Sequence, residues 1–196
     1  MTKTTNTTNR FATIARRSTA ALAFAIAATA FAAPASAEKI ASVTSGPWKG
    51  GAYTDNATGE FSHCAVNARY KSGVALFFSV TRDRQWSMGF ANSHWNLSPG
   101  NRYPVRFQVD RGPILKSTAT AKTQKMVQVH LPAKNRLFRH FKVGGMLKVA
   151  AGSKVMRFNL TGTNRMLSKL YRCATHFARQ DTIGRDPFQP ASFFQE

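Results

Sequence analysis

Between Phe61 and Leu160 apolar and polar residues alternate in short bursts separated by turn residues. "HCAVNARY" (63–70) sets Cys64, Val66, Ala68 and Tyr70 against His63, Ala65, Asn67 and Arg69, the period-two pattern of a strand with one buried face. The turn Lys71-Ser72-Gly73 leads into "VALFFSV" (74–80), a continuous apolar run of the kind found in strands buried on both faces. Charged "RDRQ" then turns the chain into "WSMGFANSHW" (86–95), and the long turn "NLSPGNRYP" precedes "VRFQVD" (105–110). "KSTATAKT" and "KMVQVHL" form a candidate strand pair. "LKVAA" (147–151) and "VMRFNL" (155–160) are joined by Gly152-Ser153-Lys154, a hairpin signal.

Two segments switch to the helical period. "KNRLFRHFK" (134–142) places Leu137, Phe138 and Phe141 at helical spacing and stops at Gly144-Gly145. "TNRMLSKLYRCATHFAR" (163–179) puts Met166, Leu167, Leu170, Cys173, Ala174 and Phe177 on one face, with Thr163 as an expected N-cap. The pattern as a whole predicts a mainly β chain. It reads as an antiparallel β-sandwich or open barrel carrying a short helix and a C-terminal amphipathic helix packed on the sheet. The expected domain covers residues 61–180. Residues 38–60, rich in Gly, Ser, Thr and Asn, read as an irregular lead-in pinned by Trp48 and Tyr53. Residues 181–196 read as a tail whose Phe188, Phe193 and Phe194 pack somewhere.

The N-terminus has a different character. Lys3, Arg10, Arg16 and Arg17, with no acid, precede the alanine-rich run "STAALAFAIAATAFAAPASA" and its Ala35-Ser36-Ala37 end. A basic region, a short apolar region and an A-x-A site describe a cleavable secretory signal over residues 1–37, so the expected location is periplasmic or secreted. The whole chain carries 28 Lys+Arg against 8 Asp+Glu, a formal net charge of +20. Cleavage after Ala37 removes four of the basic residues and no acid, which leaves +16. The apolar and aromatic content is that of a folded protein, so this excess predicts attraction to polyanions rather than disorder. Outside a bacterial cytoplasm those are lipopolysaccharide, acidic polysaccharide, anionic membrane surface, acidic proteins and extracellular nucleic acid, with no specific nucleic-acid site indicated.

The two cysteines fall on the apolar faces of the first core strand and the last helix. In an exported chain, inward-facing Cys64 and Cys173 are most simply a disulfide, closing a loop worth about 4.7 kcal/mol in the chain-entropy model. The competing reading makes Cys64 a thiolate nucleophile. His63 is a poor base for it, because neighbouring strand residues point to opposite faces. No H-E-x-x-H, G-x-S-x-G, phosphate-binding loop or dinucleotide fingerprint occurs, and the five histidines lack ligand spacing. No catalytic residue, metal ligand or cofactor is therefore expected. Asp110, ahead of Arg111-Gly112-Pro113, reads as a turn-capping residue.

One feature does carry chemistry. Arg165, Lys169, Arg172, His176 and Arg179 recur at i, i+4, i+7, i+11 and i+14, one stripe bordering the apolar face of helix 163–179, which contains no acid. Arg136, Arg139, His140 and Lys142 add a second basic group beside Phe138 and Phe141. Guanidinium and ammonium groups in this company suit phosphate, sulfate or uronate, so Arg165, Lys169, Arg172, Arg136 and Arg139 are the candidate anion-binding residues.

The order of pieces resembles the invasion-associated locus B family of exported proteins from Gram-negative bacteria. The likeness lies in the leader, the turn and strand "LSPGNRYPVRFQVD", the short helix before "GGMLKVAA", and "FNLTGTNRMLSKLYRC" as strand, Gly turn and helix. It covers most of residues 61–173; "AKTQKMVQVHL" lacks the cysteines that family members often carry there. The resemblance implies a β-sandwich, non-enzymatic factor of the cell surface or periplasm, in some cases linked to host contact. The expected function is a basic, non-enzymatic binding protein for an anionic envelope or host component. The competitors are an envelope hydrolase using a free Cys64 or a His-based site, and an inhibitor or assembly partner acting through protein contacts.

Overall fold

The computed structural model describes residues 37–183. Residues 1–36 of the expected leader, and the tail from Gly184 with Phe188, Phe193 and Phe194, lie outside them. Among the described residues ten strands run in chain order: β1 Lys39–Ser45, β2 Trp48–Thr54, β3 Phe61–Arg69, β4 Ala75–Thr81, β5 Trp86–Ala91, β6 Arg102–Val109, β7 Leu115–Thr123, β8 Met126–Leu131, β9 Met146–Ala151 and β10 Lys154–Asn159. Helix α1 (Asn135–Val143) lies between β8 and β9, and α2 (Thr163–Ile183) follows β10. The strands form one open antiparallel sheet in the order β1-β2-β3-β4-β5-β8-β7-β6-β9-β10.

The alternation seen in the sequence sets the inner face. Cys64, Val66 and Ala68 of β3, Leu76, Phe78 and Val80 of β4, and Trp86, Met88 and Phe90 of β5 are all buried. So are Val105, Phe107 and Val109 of β6 and Leu147 and Val149 of β9. Phe77 and Ser79, on the other side of β4, are half-buried, so that strand is covered more fully on one face than on the other. The sheet curls over this core. Phe158 of β10 meets Phe90 of β5 at 5.3 Å and Tyr70, just past β3, at 5.0 Å, and the Tyr70 hydroxyl donates to the Asn159 carbonyl at 2.6 Å. Burial raises the Tyr70 phenol to about 12, so it remains a donor at any physiological pH.

Helix α1 buries Leu137 and Phe141 in the core. Its Phe141, fully buried, stands edge-on to Phe78 of β4 and Trp86 of β5 and lies 6.2 Å from Phe107 of β6. The exit from α1 is held by Asp110, whose carboxylate accepts the Gly145 N–H at 3.0 Å and the Met146 N–H at 2.8 Å. Asp110 is thus a cap, as its turn position suggested, but for a segment 35 residues away rather than for its own turn. Its positive φ of 50° is one that Asp tolerates better than most residues.

Three expectations need correction. Residues 39–54 are not an irregular lead-in but the β1–β2 hairpin. Gly46, at φ +59°, leads a two-residue turn completed by Pro47, the arrangement that matches strand twist. Gly50 and Gly51 are there because the backbones crowd: a Cβ would stand 1.9 Å from the Ala65 oxygen at Gly50 and 1.9 Å from the Ala41 oxygen at Gly51. A composition that suggests a loop instead lets three strands approach. Secondly, Thr163 does not cap α2 by accepting an N–H. Its buried hydroxyl lies 2.8 Å from the Phe141 carbonyl and 2.7 Å from that of Leu160, tying the start of α2 to the end of α1. Thirdly, α2 runs on to Ile183 and so includes Asp181, beyond the expected boundary at 180.

Helix α2 packs on β1, β2, β3 and β4 and against α1. Met166, Leu167, Leu170 and Ala174 are fully buried beneath it, and Cys173 is disulfide-bonded to Cys64 of β3 across 109 residues of chain. Replacing both cysteines by alanine should cost about 2–5 kcal/mol, read as a lower urea midpoint. Asp110→Ala removes the anchor for Gly145 and Met146 and leaves alanine at a positive φ; a loss of about 2 kcal/mol is expected from the same denaturation curves.

Candidate functional site: the seam between β1 and α2

β1 forms one edge of the sheet, and α2 lies along it. The apolar face of α2 is committed to the core, which fixes the rotation of the helix about its axis. The positions flanking that face on one side, Arg165, Lys169, Arg172 and His176, then fall beside β1, and all four are exposed. They line two open depressions along one seam. The first, about 550 Å³, is bounded by Ser45, Gly46, Gly162, Asn164 and Arg165. The second, about 350 Å³, has Ala41 to Thr44 as one wall and Lys169, Arg172, Cys173, His176 and Phe177 as the other. Lys169 sits at the junction, where its ammonium donates to the Thr44 carbonyl at 2.9 Å.

The seam is cationic without internal compensation. Among the described residues, no carboxylate lies within ion-pair distance of Arg165, Lys169, Arg172 or His176; the ion pair that is present joins Arg82 and Glu60 at 3.3 Å. α2 is free of acids from Thr163 to Gln180. Uncompensated like charges along one helix flank repel one another, and an anion laid along the seam relieves that repulsion.

The other two candidate residues go elsewhere. Arg136 and Arg139 are exposed on α1, and α1 meets α2 through Phe138 and Tyr171, whose rings lie 6.2 Å apart. Tyr171 is on the flank of α2 opposite Lys169. The structure therefore gathers Arg165, Lys169 and Arg172 into one seam and leaves Arg136 and Arg139 outside it. The β1 wall is not apparent from composition, because the Gly-, Ser- and Thr-rich residues 38–60 read as an irregular lead-in. The alternation of Ala41, Val43 and Ser45 was the available signal.

The competing cysteine chemistry is closed in this form of the chain, since Cys64 is fully buried and its sulfur is bonded to Cys173. Among the described residues no group of three or more His, Cys, Asp or Glu side chains could hold a metal ion, and no helix is long and apolar enough to cross a membrane.

No protein-family model matches the chain, and no curated protein sequence matches it. Among solved structures it is similar to the crystal structure of invasion-associated protein B from Bartonella henselae. That likeness has a TM-score of 0.46 and 18% identity, over 67% of this chain and 96% of that one. It is a distant likeness.

His63, the neighbour of Cys64, lies opposite Tyr53 of β2 with its ring stacked at 5.4 Å, and its Nδ1 is 3.1 Å from the Ser62 hydroxyl. Burial holds the imidazole below its ordinary 6.5, so the folded chain prefers it neutral. The unfolded chain binds that proton more readily. This contribution to stability is therefore complete above pH 6.5 and is lost as pH falls through 6.5 toward the lower folded value. His63→Asn should show a smaller drop in urea midpoint between pH 7.5 and pH 5 than the unaltered chain.

Proposed function

We propose that this chain is an extracytoplasmic, non-enzymatic binding protein that engages an anionic envelope or host component through the β1–α2 seam. The observation that carries the reading is the exposed row Arg165, Lys169 and Arg172 along a groove with no carboxylate in reach among the described residues. Ordinary solvated helix faces interleave charges of both signs, which stabilises the helix by itself. This one gives up that stabilisation, a choice that makes physical sense where the counter-charge comes from a ligand. The extracytoplasmic setting is supported by the Cys64–Cys173 disulfide, a bond that persists in oxidising compartments, and by the leader-like N-terminus. Phosphate of lipopolysaccharide, uronate or sulfate of acidic polysaccharide, and carboxylate of acidic protein all satisfy the charge requirement.

The triple variant Arg165→Ala, Lys169→Ala, Arg172→Ala tests the assignment on an immobilised sulfated polysaccharide. Three lost contacts of under about 1 kcal/mol each should weaken binding about tenfold or more at physiological salt, with elution at lower NaCl. Arg136→Ala with Arg139→Ala should shift elution less. Retention of the triple variant at the original salt concentration would remove the seam from the interface.

A further inference from the structure

The seam joins two features that one kind of ligand uses together. One wall is the cationic flank of α2. The other is the edge of a β-sheet: among the described residues no strand lies on the far side of β1 from β2. In an antiparallel pair, successive residues direct their N–H and C=O groups alternately toward and away from the partner strand. The Thr44 carbonyl faces away from β2, since it accepts from Lys169, so Ser42, two residues back, faces the same way. Pairing with β2 shifts register between Lys39 and Ala41, which leaves Ala41 to Ser45 as the regular part of the edge. Backbone donors and acceptors in that order match an extended polypeptide and have no counterpart in a polysaccharide.

The charge spacing agrees. At about 1.5 Å of rise per residue, Arg165, Lys169, Arg172 and His176 stand about 6, 4.5 and 6 Å apart along α2. Side chains on one face of a strand recur every ~6.7 Å. An extended segment with acids at alternate positions therefore sets successive carboxylates ~6.7 Å apart, a spacing that the long, flexible Arg165, Lys169 and Arg172 side chains can reach from backbone positions about 4.5 to 6 Å apart along α2.

We infer that the seam takes an extended acidic segment of a partner protein, which adds as a strand to the edge of β1 and directs alternate carboxylates at Lys169, Arg172 and Arg165. This rests on the anionic-ligand reading and narrows it to a polypeptide. Lys169 has two roles in it. In the free chain its ammonium covers the Thr44 carbonyl, a charged guard of the kind that keeps sheet edges from pairing indiscriminately. When the segment adds, its backbone N–H takes the carbonyl and the ammonium turns to a carboxylate. Selectivity follows from the exchange, because a neutral strand would uncover the edge without giving the lysine a new partner.

The test uses the purified chain with its disulfide intact. The probes are a ten-residue peptide of alternating Glu and Thr, two copies N-methylated on one or the other alternate set of residues, and a heparin-derived oligosaccharide. Binding is read by fluorescence anisotropy at two salt concentrations. The expected result is salt-sensitive binding of the peptide, weakened about tenfold or more by methylation on one alternate set and little by the other, since only one set faces β1. Ser42→Pro, a substitution tolerated where the N–H faces outward at an edge, should weaken the peptide about as much as methylation of the sensitive set does. Equal binding of both methylated peptides would overturn strand addition, because the seam would then read charge alone. Oligosaccharide binding without peptide binding would also overturn it while leaving the anionic reading in place. Binding of neither would remove both.

Discussion

The apolar face of α2 must be buried, and the sheet offers the place to bury it. Met166, Leu167, Leu170 and Ala174 lie beneath the helix against β1 to β4, and the Cys64–Cys173 bond ties the same face to β3. Once that face is committed, nothing about the helix remains adjustable: its rotation decides which side chains meet β1, which meet α1 and which face water. The cationic seam is a consequence of this docking. So is the position of α1, whose end is held to the start of α2 through the Thr163 hydroxyl and whose Phe141 fills the middle of the curled sheet.

The disulfide and the packing act on different states. Burial of the α2 face stabilises the folded chain directly, in proportion to the apolar area removed from water. The disulfide acts mainly on the unfolded chain, by restricting a loop that spans most of the described residues. A protein with this much unbalanced positive charge repels itself in the compact state, and both terms offset that cost. The same excess of charge is what gives the seam its field. The covalent tie thus offsets part of the self-repulsion of a basic row that has no acid between Thr163 and Gln180.

The edge of β1 is the other exposed resource. Many sheet proteins bury or distort such an edge, and this one covers part of it with Lys169, a lysine of the basic row along α2. Under the proposed reading the guard and the ligand contact are one group, so the edge would be protected in the free chain and opened by an arriving anion. Gly50 and Gly51 make possible the tight β1–β2–β3 approach behind that edge.

From Phe61 to Leu160 the strands were legible in the sequence, because burial on one face of a strand demands period two, and turns between strands demand residues such as Gly, Ser and Asp. Both helices were legible from their 3.6-residue period, the inward-facing cysteines from the faces they occupied, and the stripe of cations from its helical spacing. The β1–β2 hairpin was only partly legible: Ala41, Val43 and Ser45 alternate as a strand should, but the small residues of β2 have the composition of a loop, and the reason for Gly50 and Gly51 is the distance to neighbouring backbones, which no local pattern records. Nor could spacing alone tell that Arg136 and Arg139 would stand apart from Arg165, Lys169 and Arg172, or that Thr163 would bond to α1 instead of its own helix. Local period is a property of adjacent residues and is written in their order. Which flank of α2 meets β1, and which meets α1, depends on how two distant surfaces share one core, and only the tertiary structure decides that.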